Sequence, residues 1–317
     1  MKTTLLGMGS YAMDTSIVCS TLPKEDSFAL VREERTLPGG SCANMLAAFA
    51  ALGGKSRMLA KIGDDETGRM FSQTLSEDGV DNSLLFIKPE GTSMHTYVFR
   101  TPEGTHSILV NPGDSIMALS PDELNPDILE GVDLFYSDFM PGAATVAMIT
   151  MCRERGIPVV LCMQCAPSFL HSLGVNDAEI AEAMSHADLF ISGREGLREL
   201  TGIADYSQGT EAVYSKFRPS DGVICTAGSE GALWLDGTGA LFVPALNVRT
   251  VDSTGAGDSF LGAFLFSYYH LRTARQDALE FAAGAGAMKC TIPGPRLHAT
   301  EAELRSFIAA HPLADAK

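Results

Sequence analysis

Short, uninterrupted apolar runs recur along this chain with helix-like stretches between them, and that alternation restricts the fold more than any other feature. Val132 to Ser137, Ile157 to Cys162, Asp188 to Ser192 and Gly222 to Thr226 are the clearest runs. A strand buried on one face alternates apolar with polar residues, whereas a strand covered on both faces is apolar throughout. The pattern therefore predicts an α/β protein, a doubly wound, mostly parallel sheet covered by helices on both faces. With 317 residues, 45% of them hydrophobic and 20% charged, the chain can bury the large core such a sheet needs. No internal repeat or low-complexity linker divides it, and residues 1–317 read as one domain.

Two stretches break the rhythm. Tyr97 to Phe99 and Ile108 to Val110 flank Thr101-Pro102-Glu103-Gly104-Thr105, a β-hairpin signal, and Asp14 to Val18 with Ser27 to Arg35 read as further strands. They predict a small projecting sheet made discontinuously from residues 11–37 and 90–112. Between the first apolar run and this sheet, Gly7-Met8-Gly9-Ser10-Tyr11-Ala12 matches the G-x-G-x-x-A form of a dinucleotide-binding loop. That loop requires a helix next. The chain instead continues MDTSIVCSTLPKED, β-branched and broken by Pro23, which favours a strand running into a loop. No Walker A lysine follows a G-x-x-x-x-G, so a P-loop nucleotidase has no support either.

The chemistry is concentrated in VDSTGAGD, Val251 to Asp258, which runs straight into the apolar stretch SFLGAFLFSYY. Gly255, Ala256 and Gly257 carry almost no side chain, so their N–H groups can approach an anion closely, and a helix opened by Gly257 adds its positive dipole end. Asp258 beside an anion such as phosphate is repulsive unless it has a task. The obvious one is accepting a proton from a hydroxyl that attacks phosphorus. A glycine-rich turn with an Asp at a helix start explains the same residues without any chemistry.

A second segment, LPGGSCANMLAAFAALGGKSRMLAKIGDDETGRMF from Leu37 to Phe71, combines paired glycines, a polar Asn44 in a small-residue helix and an acidic turn. Together the two segments resemble the signatures of the ribokinase-like (PfkB) carbohydrate kinases. The first matches from Gly39-Gly40 through Asn44 to Gly63-Asp64-Asp65 and Gly68, and the second at Asp252, Thr254, Gly255, Gly257 and Asp258. Their order and separation fit, and the likeness extends over nearly the whole chain. It implies a ribokinase-like fold with the small sheet as a lid over the acceptor site. It also implies transfer of the ATP γ-phosphoryl group to a hydroxyl of a small sugar or sugar acid, with Asp258 as general base and the 255–257 backbone as anion hole. A nucleoside kinase of the same fold is the alternative, because Gly-Gly-Ser at 39–41 also occurs there; Tyr97, Phe99 and Met140 would then form the apolar slot for a base. A retired, sugar-sensing member is a third reading, disfavoured by the presence of Asp258 and its glycines.

The resemblance implies that Asp14, Gly39, Gly40 and Asn44 bind the acceptor. Short carboxylates, amides and bare backbone suit sugar hydroxyls. Asn44 would otherwise serve as a helix N-cap and Asp14 as a turn residue. His95 and Tyr97, on alternate positions of one lid strand, would share a face that covers the acceptor or simply packs. On the nucleotide side the family's Asn-x-x-Glu reads Ser192-Gly193-Arg194-Glu195 here, keeping the Glu that orders Mg²⁺ through water and losing the Asn. Glu195 is equally a first-turn acid favoured by the helix dipole. Thr226 and Gly228 match a phosphate-side turn. Ala283 and Gly284 would let adenine, or a neighbouring helix, pack closely. Asp252 and Thr254, with a loop near Cys290 to Gly294, would hold a monovalent cation such as K⁺; alternatively Asp252 only orders its own turn.

A net charge of −16 argues against nucleic-acid or anionic-membrane partners and requires Mg²⁺ and backbone donors to offset the repulsion of a polyphosphate. No apolar run approaches the roughly 20 residues that span a bilayer, and the start lacks a full signal-peptide pattern, so a cytoplasmic protein is expected. Seven cysteines without dense spacing suggest reduced thiols; Cys162 and Cys165 form a C-x-x-C but lack the second pair that zinc would want. An exposed lid-sheet edge invites cover, and a homodimer through the lid would supply it.

Overall fold

The computed structural model of the protein describes residues 3–101, 106–311 and 313. Its strands are β1 (Thr4–Met8), β2 (Ala12–Cys19), β3 (Val31–Gly39), β4 (Lys55–Gly63), β5 (Val80–Lys88), β6 (His95–Arg100) and β7 (His106–Asn111). They continue with β8 (Leu134–Ser137), β9 (Val159–Met163), β10 (Leu189–Gly193), β11 (Gly222–Thr226), β12 (Gly231–Asp236) and β13 (Gly239–Pro244). The α-helices are α1 (Ser41–Ala51), α2 (Glu66–Glu77), α3 (Gly142–Glu154), α4 (Pro167–Ser172) and α5 (Asp177–Ser185). After them come α6 (Arg194–Thr201), α7 (Tyr206–Phe217), α8 (Ala256–Leu265), α9 (Arg275–Cys290) and α10 (Glu301–Ala310).

Nine strands form the main sheet in the order β13-β12-β11-β10-β9-β8-β1-β4-β5, parallel from β11 to β5, with the β12–β13 hairpin added antiparallel at one edge. Successive strand residues feed opposite cores. Leu5, Tyr136, Val160, Ile191 and Ile224 pack with α1, α8 and α9 on one face, while their neighbours Leu6, Phe135, Leu161, Phe190 and Val223 pack with α3, α5, α6 and α7 on the other. Two-sided cover is the physical reason the runs are apolar throughout.

Three runs enter the sheet later than their hydrophobicity suggests. Asp133 and Asp188 lend carboxylate oxygens to the N–H groups of Thr4 and Val159, and Pro158 has no N–H to give, so β8, β9 and β10 begin just beyond these residues.

The second sheet has the order β3-β2-β6-β7, with β2 and β6 parallel and the outer pairs antiparallel. The expected hairpin is the β6–β7 pair; residues 102–105 of its turn lie outside the described residues. Ser27 to Leu30 are not strand. Ser27 closes a local turn on Lys24 through both its N–H and its hydroxyl, which competes with pairing, so β3 starts only at Val31. After Gly7-Met8-Gly9-Ser10-Tyr11 comes β2 and not a helix, as the residues there predict.

Candidate active site

The turn before α8 is shaped by a close backbone approach. Gly255, the N-cap, has φ 76°, and a Cβ there would lie 1.8 Å from the carbonyl oxygen of Pro295, so only glycine fits. The helix opens at Ala256, one residue earlier than the sequence suggests. This spends the Ala256 N–H on the Ser253 carbonyl at 3.2 Å and removes it from the anion-facing set. The N–H groups of Gly255, Gly257 and Asp258 find no acceptor among the described residues.

Asp258 lies in the first turn of α8, buried against α1. Small residues make that contact close: a Cβ on Gly262 would lie 2.6 Å from the Met45 carbonyl oxygen. Asn44 Nδ2 accordingly donates to Asp258 Oδ2 at 2.9 Å. Asn44 sits inside α1, whose N-cap is Gly40, so its amide is no cap. Burial raises the Asp258 pKa to about 6, against the opposing hydrogen bonds of Asn44 and Ser41.

These groups open on a cleft of about 860 Å³ at the carboxyl ends of β1, β8 and β9, where ligands bind in open α/β sheets. Asp14, on β2, faces it. Thr96 Oγ1 donates to Asp14 Oδ1 at 2.6 Å, and burial raises this carboxyl too. Gly39 leaves room for that carboxylate, since a Cβ would overlap it, and Gly40, at φ 85°, abuts the Tyr11 backbone. Met94, just before β6, and Thr96, Val98 and Arg100 on it line the cleft, so strand alternation turns His95 and Tyr97 to the opposite face. There the two rings meet edge to face, with centroids 5.7 Å apart. The expectation that His95 covers the acceptor is therefore corrected by one residue of register. Tyr97 and Phe99 likewise leave the expected apolar slot; Val98, Ile108, Val110, Met140 and Phe169 supply it.

The expected nucleotide residues are more scattered. Ser192 is buried at the end of β10, its hydroxyl donating to the Gly193 and Met163 carbonyls at 3.0 and 3.4 Å, and it does not reach the cleft. Glu195 lies exposed at the start of α6, where Arg198 Nε donates to its Oε2 at 3.1 Å and holds its pKa below the ordinary range. The pair is a surface one, and Glu195 is not among the residues that line the cleft. Thr226 ends β11 opposite Gly193, and Gly228 follows in an open turn with φ 60°. Ala283 is buried in the core, and a Cβ on Gly284 would lie 2.3 Å from Ile308 of α10, so these small residues make a helix contact.

Asp252 is enclosed. Its Oδ1 accepts from the Thr254 N–H at 3.0 Å, and its Oδ2 from Gly294 N–H at 3.1 Å and Arg100 Nη1 at 2.9 Å. Arg100 Nη2 also donates to Thr254 Oγ1 at 2.8 Å, tying the lid to the glycine turn. Burial pushes the Asp252 carboxyl up, but the bonds from Thr254 and Arg100 outweigh it and leave the pKa lowered.

Sequence reasoning missed four residues. Arg100 carried no signal beyond a charge at a strand end. Lys289 was visible as a lone cation in the small-residue run AAGAGAMKC. Arg296 is buried, with Nε donating to Asn44 Oδ1 at 3.1 Å and Nη1 paired with Asp78, which fixes the orientation of the amide. Asp138 accepts from Ser10 N–H at 2.9 Å and Ser10 Oγ at 2.6 Å, and burial raises its pKa to about 6. No group of three or more His, Cys, Asp or Glu side chains among the described residues is arranged to hold a metal, and all seven cysteines are free.

A doubly wound sheet, a β lid over its carboxyl edge and a buried carboxylate at a glycine-led helix start define a kinase of the ribokinase fold. The chain belongs to the pfkB family of carbohydrate kinases, whose family model matches residues 2–302. It is 27% identical to the ATP-dependent ribose-1-phosphate kinase of Halopiger xanaduensis over 306 residues, 96% of this chain and 98% of the relative. To the aminoimidazole riboside kinase of Salmonella typhimurium it is 29% identical over 294 residues, 88% and 90% of the two chains. The ribokinase of Arabidopsis thaliana, solved with ribose and ATP, superposes with a TM-score of 0.83 at 22% identity, covering 97% of this chain and 99% of that one. No helix among the described residues is long and apolar enough to cross a membrane.

Proposed function

We propose that this sugar or nucleoside kinase moves the γ-phosphoryl group of MgATP to a primary hydroxyl of a small sugar or sugar acid, with Asp258 as general base. One observation carries the reading: a buried carboxylate stands at a helix start beside the unengaged N–H groups of Gly255 and Gly257, and all three line the cleft. In the transfer, the acceptor hydroxyl gives its proton to Asp258 and its oxygen bonds to the γ-phosphorus. The bond from that phosphorus to the β-phosphate oxygen breaks, and ADP leaves. Asn44 steadies the carboxylate, and a carboxyl with a pKa of about 6 is ionised at neutral pH yet more basic than an ordinary aspartate. Each well-placed N–H donor contributes about 3 kcal/mol to stabilising the transferred group.

Asp14, ordered by Thr96, and the Gly39-Gly40 backbone bind acceptor hydroxyls in this reading. Mg²⁺, bound to the nucleotide, neutralises phosphate oxygens. A second copy of the chain is proposed, separately, to sit on the outer face of the lid.

A specific feature favours a nucleoside-like acceptor as a second reading: Val98, Ile108, Val110, Met140 and Phe169 make an apolar wall where a base would lie. The riboside kinase relative agrees with it.

ADP release coupled to MgATP, measured against free sugars, sugar phosphates, keto-deoxy sugar acids and nucleosides, tests both. Turnover on one class, lost by on the order of 10³-fold in Asp258→Asn, is the expected result. Full turnover in that variant would remove Asp258 from the chemistry.

A further inference from the structure

Asp252 and the loop after α9 do form a cage, but a side chain of the protein fills it. Lys289, the penultimate residue of α9, has 0% exposure, and its Nζ donates to the Asp252 carbonyl at 2.9 Å and the Ile292 carbonyl at 3.2 Å. The walls of the cage are otherwise closed by backbone: the N–H groups of Val251 and Asp252 reach the Cys290 carbonyl at 2.7 and 3.2 Å, and Gly294 N–H reaches the Asp252 carboxylate. A monovalent metal ion needs several oxygens at once. Here two of the carbonyls suited to it already accept from an ammonium, and the carboxylate already accepts from Arg100. A free cation would also stand against both positive charges, so the residues present do not fit one.

We propose that Lys289 serves as a built-in monovalent cation: its ammonium ties the 290–295 loop to the 251–255 turn, making the kinase independent of added K⁺. The link to chemistry is short. The 290–295 loop ends on the Pro295 carbonyl that abuts Gly255, and Gly255 leads directly into the helix start beside Asp258. A charge buried here is costly unless compensated. Burial lowers the Lys289 pKa, and the neighbouring Asp252 carboxylate opposes that shift. Lys289 is a positioning residue, since it touches the turn and not the cleft.

The inference rests on the kinase reading above, and two measurements keep the two separable. Thermal unfolding of the full chain is followed in KCl, NaCl and choline chloride at matched ionic strength, which needs no substrate. The wild type is expected to melt at one temperature in all three, whereas Lys289→Ala is expected to gain a K⁺-specific rise of roughly 2 °C as the ion enters the vacated cage. With the acceptor found above, wild-type kcat is expected to be equal in the three salts. Lys289→Ala is expected to lose on the order of tenfold in kcat and to recover part of it with K⁺ or ethylammonium. A wild type whose melting or rate depends severalfold on K⁺ would overturn the proposal, as would a folded Lys289→Met variant with unchanged kcat. If Lys289→Ala cannot be purified folded, the wild-type salt comparison still decides. Absence of turnover on every acceptor bears on the kinase reading alone.

Discussion

Asp258 is held in a costly state. Its carboxyl has a pKa of about 6 where it is buried, against 3.8 for the unperturbed group. Because the folded value is the higher one, the group favours folding in its protonated form, fully below pH 3.8. That contribution is lost as pH rises through about 6, and at neutral pH the ionised carboxylate costs about 3 kcal/mol. Asp258→Asn removes the charge and can keep a hydrogen bond to Asn44, so it is expected to raise the melting temperature at pH 8 and to change it little at pH 4. Paired melts at the two pH values check this, and an equal shift at both would show that packing and not charge is responsible. Activity has the opposite dependence: kcat/KM of the wild type is expected to fall as pH drops through about 6. The buried carboxylate at a glycine-led helix start was legible because Asp258 and its glycines are adjacent in the sequence. The contribution of Arg296 was not, because its contact with Asn44 joins positions 252 residues apart.

At the level of elements, the small-residue stripe of α9 shows where spacing is ambiguous. Gly284 suits a nucleotide base and a helix neighbour equally on sequence grounds, and the structure gives it to Ile308 on α10. A methyl added there must displace the isoleucine, so Gly284→Ala is expected to destabilise the fold by about 1–3 kcal/mol while leaving the KM for ATP unchanged. Ile308→Ala should relieve the clash, and denaturant unfolding of the two single variants and the double variant is expected to reveal a coupling of about 1 kcal/mol. A raised KM for ATP in Gly284→Ala without loss of stability would return the residue to the adenine site. The strands were easier to read than their contents. Apolar runs located β8 to β11 within two residues, yet the face of β6 was read one residue out, because Thr96 and Val98 give no stronger apolar signal than His95 and Tyr97.

On the scale of the whole molecule, the main sheet is sealed on both faces and the lid is not. The parallel sheet was legible because two cores demand continuous apolar strands. The lid was legible only as strands, because its outer face mixes polar and apolar residues: Val31 is 57% exposed, Tyr97 41% and Leu109 60%. Tyr97 and Leu109 are register partners on adjacent strands, so their side chains form one patch on the face turned from the cleft. Scattered exposed apolar residues need no explanation, but a paired patch on a four-stranded sheet is the surface on which the proposed second copy would sit. Like molecules carrying a net charge of −16 repel each other most strongly at low salt, so an apolar contact between copies is expected to hold best at physiological salt or above. Sedimentation of the wild type is therefore expected to give a dimer, and Leu109→Glu, which sets a charge in the patch, is expected to give a monomer with an unaltered main-sheet fold. If the wild type sediments as a monomer at all concentrations tested, the outer face of the lid has no partner in a second copy. If Leu109→Glu remains dimeric, the contact lies elsewhere and the lid is free to move in each subunit.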